Sequence, residues 1–203
     1  KFTSAALFED IGLNSVGING DTDAFIAKMN SSGNWTSAYN FGSHGDDGID
    51  SIALHPSGDL VVVGHFCLGT AGEDCEMNLS TFTLSKTENG GEGDAFVGRF
   101  AITNDSFEPI WIRSIGNAGD LSGFDIEVSP NRGVTAAVFH KANLEIEGQF
   151  LPGSDGTNIA ILHYDENGAL QWSNGITSPD GVEIFGGMCY SGDGYLPLTG
   201  TFL

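Results

Sequence analysis

Apolar and polar residues alternate with a period of two over short stretches of this chain, as in Ile52 and Leu54 or Ile126 and Val128. That period is the mark of a strand with one face buried. The runs Ile49 to His55, Leu60 to Phe66, Phe124 to Ser129, Val134 to Phe139, Val182 to Cys189 and Tyr195 to Phe202 are also rich in β-branched and aromatic residues, which suit a pleated surface. No window offers a sustained helical stripe with caps, and 30 glycines fall largely at turn positions. Pro56-Ser57-Gly58-Asp59 and Asp165-Glu166-Asn167-Gly168 read as hairpin turns, because Gly and Asn tolerate positive φ.

The strand-like runs recur in a fixed order. Asp23 to Met29, Asp94 to Phe100 and Thr157 to His163 align, and each is followed by a polar turn and a tryptophan: Trp35, Trp111 and Trp172. A Gly-rich stretch and a pair of runs around a turn follow each time. Phenylalanines at 2, 66, 139 and 202 read as equivalent, which divides the chain into units of about 2–65, 66–138 and 139–203 in one repeat domain. Four short strands per unit, joined by tight turns, describe a propeller blade better than a sandwich.

The order Asp-Ala-Phe-Val/Ile-x-Lys/Arg, polar turn, Trp, Gly-Asp-rich loop, hydrophobic-x-hydrophobic, Pro-x-Gly and Val-x-Gly-x-Phe resembles the SBBP-type β-propeller repeat over nearly all of the chain. The resemblance implies an all-β propeller or propeller fragment, about three four-stranded antiparallel blades. Ile49 to His55 would then be the innermost strand of a blade, Leu60 to Phe66 the second, Asp94 to Phe100 the third and the Trp111 run the outermost. Phe2 to Gly20, Cys67 to Gly93 and His140 to Asp155 would be inserted hairpins, as Leu144-Glu145-Ile146-Glu147-Gly148 suggests. Three blades are fewer than a closed propeller needs, so further blades of a longer polypeptide or other chains are expected to complete it.

Charge narrows the partners. The excess of 27 Asp and Glu over 7 Lys and Arg repels phosphate backbones and anionic headgroups, so nucleic acid and membrane insertion are not expected. No run is long and apolar enough for a spanning helix. Cys67 and Cys75 are close enough in a Gly/Glu-rich stretch to staple a short loop, whereas Cys189, among apolar neighbours, reads as a buried inert thiol. Sequons at Asn30, Asn34, Asn78 and Asn104 point to N-glycosylation of a secreted, extracellular or cell-surface protein, with Asn30 and Asn104 at the same turn of the unit.

Candidate chemistry is sparse. The carboxylates Asp46, Asp47 and Asp50 are the calcium candidates, hard oxygen ligands within five residues; solvated turn aspartates are the competing reading. Asp23 and Asp94, ahead of Ala-Phe, are expected to fix the start of a strand. The tryptophans could stack sugars but more simply pack between blades. The five histidines lack zinc spacing, and no nucleophile elbow is present, so neither a cofactor nor a catalytic residue is expected. The leading expectation is a structural or interaction module of a surface, adhesive or filament glycoprotein. The alternatives are a carbohydrate- or calcium-binding propeller and, more weakly, a hydrolase completed by further blades.

Overall fold

The computed structural model describes residues 1–16, 20–70, 74–87, 93–103, 106–116, 121–154, 156–177 and 183–202, the side chains of 183, 184 and 202 excepted. They are all-β, with no helix, hence none long and apolar enough to cross a membrane. In chain order, β1 (Ala5–Phe8) and β2 (Ile11–Asn14) form a hairpin, followed by β3 (Ala24–Met29) and β4 (Trp35–Phe41). Next come β5 (Asp46–Leu54), β6 (Leu60–Leu68), the hairpin β7 (Glu76–Leu79) and β8 (Phe82–Ser85), β9 (Asp94–Ile102) and β10 (Phe107–Ile115). The same succession returns as β11 (Ser122–Val128), β12 (Val134–His140), the hairpin β13 (Leu144–Ile146) and β14 (Gln149–Leu151), β15 (Asn158–Tyr164) and β16 (Leu170–Ile176). β17 (Glu183–Met188) and β18 (Leu198–Phe202) follow.

Four antiparallel sheets stack, and the hairpins β7–β8 and β13–β14 add Met77, Leu79, Leu84, Leu144, Ile146 and Leu151 to the core. The first sheet holds β3 and β4, the second runs β5-β6-β9-β10, the third β11-β12-β15-β16, and the fourth holds β17 and β18. The neighbours expected for the runs at 49–55, 60–66, 94–100 and 111 are therefore present, and the three expected insertions are hairpins. The tight turns close alike. His55 N bonds to Asp59 O, Ser129 N to Gly133 O and Ser191 N to Tyr195 O, at 2.8, 2.8 and 2.9 Å.

Because cross-strand partners share a face, the register shows how the sheets stack. Leu60, Val62, Phe96 and Phe100 of the second sheet pack toward Ala24 and Phe41 of the first. Val61, Val63, Ala95 and Val97 turn the other way, toward Val134, Ala136, Val138, Ala160 and Leu162 of the third. Ala137, Ile159 and Ile161 of the third in turn pack toward Phe185 and Met188 of the fourth. Corresponding positions thus look toward the preceding sheet each time. The layers approach closely near β11: a Cβ on Gly123 would stand 2.7 Å from Val63 Cγ2 and 2.8 Å from Gly64 N. Only glycine fits there, since contact at that range displaces backbone.

The register corrects two alignments made from sequence. Phe66 pairs with Asp94, but it is His140 that pairs with Asn158, while Phe139 pairs with Ile159. His140, fully buried, is therefore the counterpart of Phe66. Phe139 points to the opposite face, where it meets Phe124 edge-on at 4.9 Å. A one-residue slip moves a side chain across the sheet. Trp111 and Trp172 do correspond, paired with Arg99 and His163, each just past a bulge. Trp35 pairs with Met29 before its bulge, so it stands two residues earlier, level with Pro109 and Leu170.

Candidate functional site

The aspartates that open the third strand of each unit anchor the inserted hairpin. Buried Asp94 accepts bonds from Thr87 N and Oγ1 at 2.7 and 2.9 Å, and Asp23 accepts one from Val16 N. Asn158 does the same for Ser154 N and Oγ, both at 2.9 Å. Burial pushes the Asp94 carboxyl above its ordinary value, against the pull of these bonds.

The three calcium candidates are separately committed. Asp46 Oδ1 accepts from Thr22 N and Oγ1, both at 2.7 Å; burial opposes its ionisation, but the Thr22 bonds outweigh it and lower its pKa. Asp47 turns inward to Ser43 N (2.6 Å) and Cys67 N (3.0 Å). Its burial, aided by the charge of Asp23, pushes it up to about 6 in spite of those donors. Asp50, exposed, faces His65 Nδ1 at 3.0 Å. Two bulges, between Asp46 and Gly48 and between Ile49 and Ser51, turn these side chains apart. No group of three or more His, Cys, Asp or Glu forms a metal-binding set among the described residues.

The disulfide is present: Cys67 and Cys75 are bonded, with Cα atoms 5.9 Å apart, and both are buried beside Met77 and Leu79. Closing so short a loop is worth about 2.5 kcal/mol on the chain-entropy argument. Cys189 departs from expectation. Its thiol is exposed, because its strand pair has no further sheet on that side among the described residues. Asn30, Asn34 and Asn78 are exposed. Asn30 Oδ1 accepts from Ser32 N and Asn34 N at 2.9 and 3.0 Å, leaving its amide nitrogen outward. Asn104 lies outside the described residues.

Arg99, which sequence reading did not single out, and Trp111 clamp the second sheet to the third. Arg99, nearly buried, binds Asp59 Oδ2 at 2.6 Å, Ser57 Oγ at 3.1 Å and the Glu166 carbonyl at 2.9 Å. Trp111 donates to that same carbonyl at 3.1 Å, and its ring lies where a Cβ on Gly168 would be, 2.6 Å away. In the third sheet His163 replaces Arg99, stacked on Trp172 at 4.9 Å and bonded to Thr135 Oγ1 at 2.7 Å. In the first sheet the level is held by Lys28, which is exposed. The pairing of each with the strand beyond, Lys28 with Ser37, Arg99 with Trp111 and His163 with Trp172, marks the equivalence.

A recess of about 520 Å³ beside β5 is lined by Lys1, by Phe25, Ile26 and Trp35 of the first sheet and by Ile49, Ser51 and Ile52. It lies on the face of β5 that looks toward the first sheet. No known protein-family model matches this chain, and no curated protein matches it at a significant level.

Proposed function

We propose that this chain is an arc of a β-propeller of the SBBP-like kind, serving as a structural and interaction module in a larger extracellular surface, adhesive or filament glycoprotein. The observation that supports it best is the stacking rule: corresponding positions of successive sheets look toward the preceding sheet, with glycine contacts where β11 meets β6. Two stacked sheets of a sandwich would instead bury opposed inner faces and leave both outer faces to water. The Cys67–Cys75 disulfide and the exposed asparagines of three sequons fit an oxidising, secretory compartment. Asp47 and Asp94, whose carboxyls burial raises, are engaged in holding loops to strands.

Electron microscopy of the protein, or of the polypeptide that contains it, tests the architecture: radial sheets around an axis support the arc, and a two-layer sandwich rejects it. A loss of mass on treatment with a glycan-removing amidase is expected for material from a secreting host. Calcium titration calorimetry and a glycan array separate the structural module from a carbohydrate- or calcium-binding propeller. The structural reading expects neither heat nor hits.

A further inference from the structure

The insertion from Cys67 to Gly93 carries both a disulfide and a sequon, unlike the insertions at 2–20 and 140–155. Alternation along its hairpin sorts the side chains by face. Met77, Leu79 and Leu84 enter the core beneath the second sheet, so Glu76, Asn78, Thr83 and Ser85 stand on the outer face. Glu76 pairs with Ser85 and Asn78 with Thr83, and each pair is joined a second time through side chains. Ser85 Oγ donates to Glu76 Oε1 at 3.1 Å and Thr83 Oγ1 to Asn78 Oδ1 at 2.9 Å. The Asn78 amide nitrogen, the atom that takes a sugar in a sequon, is left without an acceptor among the described residues.

This face forms one wall of a second recess, of about 460 Å³, lined by Glu76, Asn78 and Ser85 together with His44, Asp74 and Lys86. Three links hold it in place. The disulfide ties Cys75 to β6, Lys86 N bonds to Cys75 O at 2.9 Å, and Lys86 Nζ donates to the Thr70 carbonyl. Lys86 is only 9% exposed. An ammonium carries three donors. Thr70 takes one, which leaves two for the oxygens of a ligand.

We infer that Asn78 carries an N-linked glycan whose first N-acetylhexosamine is seated in this recess and braces the β7–β8 hairpin. The inference rests on the glycoprotein reading above and names the sequon and the seat. The bond forms between Asn78 Nδ2 and the anomeric carbon of a diphosphate-activated oligosaccharide. Nδ2 gives up one proton, and the diphosphate leaves with the electron pair of the bond that breaks. The lining suits such an occupant: sugar hydroxyls donate to the carboxylates of Asp74 and Glu76, and the acetamide carbonyl accepts from the Lys86 ammonium. Because the hairpin is already tied by its disulfide, the sugar meets a preformed surface and loses little to ordering it.

The full chain secreted from a glycosylating host, compared with its Ser80→Ala variant by glycopeptide mapping and amide hydrogen exchange, tests this. Asn78 is expected to be occupied, and loss of its glycan in Ser80→Ala should speed exchange of the β7–β8 amides about tenfold, the worth of one or two hydrogen bonds. The same two chains made without glycosylation should exchange alike, which separates the sugar from the substitution. Glu76→Ala should speed these amides in the glycosylated chain and much less in the Ser80→Ala background. An occupied Asn30 or Asn34 beside a bare Asn78, or a hairpin that exchanges alike with and without its sugar, overturns the inference and leaves the glycoprotein reading standing. A secreted chain with no sequon occupied removes both.

Discussion

The junction between the second and third sheets and the junction between the first and second are built from equivalent positions and differ in what covers them. At the former, Ile126 is sealed, Arg99 and Trp111 share the Glu166 carbonyl, and Leu121 fills the position just ahead of β11. At the latter, Ile52 is open, Lys28 stands in water, and the level of Leu121 is taken by the buried acid Asp47. The comparison teaches that burial here belongs to a position in the stack and not to a residue type. An isoleucine at the equivalent strand position is core in one layer and surface in another.

The largest expected effect comes from truncating the sealed member. Ile126→Ala should cost about 2–5 kcal/mol in denaturant unfolding, and Ile52→Ala well under about 1 kcal/mol. Equal losses would mean that the two junctions are alike after all. Next is the clamp. Arg99→Ala leaves the half-buried carboxylate of Asp59 without its cation, held by Ser57 Oγ, and should cost about 3 kcal/mol, against a few tenths for Lys28→Ala. Thermal unfolding of the two variants side by side measures the contrast.

The third prediction concerns pH. The Asp47 carboxyl titrates at about 6 in the folded chain against 3.8 when unfolded. A raised carboxyl favours the native state when protonated, so its contribution is fully present below about pH 3.8 and is lost as pH rises through 6. It amounts to at most about 3 kcal/mol. Asp47 should therefore favour the native state increasingly from pH 7 to pH 5, while His55, His140 and His163, whose pKa values burial lowers, act the other way. The stability difference between the wild type and Asp47→Asn should shift in favour of the wild type by about 1 kcal/mol across that window, and an unchanged difference would refute the assignment. The smallest effect sharpens the open junction: Leu54→Thr should leave stability in denaturant unfolding within about 0.5 kcal/mol.

Much of the local structure was legible from the chain. The runs around Pro56 to Asp59 and Asp165 to Gly168 announce their hairpins through turn chemistry, and the pattern at Leu144 to Gly148 announces β13 and β14. Register was harder to read. In Val138-Phe139-His140, two neighbouring large side chains can each be placed facing the core, and a period of two does not say which one is in phase. The bulge ahead of Trp111, absent from any composition pattern, shifts Trp35 out of correspondence. The acidic cluster Asp46-Asp47-Asp50 looked like one site because the residues are near in sequence, and two bulges sent its carboxylates to Thr22, to Ser43 and to His65.

Sequence by itself determined the strands, their turns and the short disulfide loop, because alternation, glycine and proximity along the chain act within a few residues. The tertiary structure alone decided that Cys189 and Ile52 face water, that Asp47 is buried and that Arg99 is a clamp. Each of those depends on which sheet lies across a gap of some 10 Å, and that neighbour is set by stacking between segments dozens of residues apart.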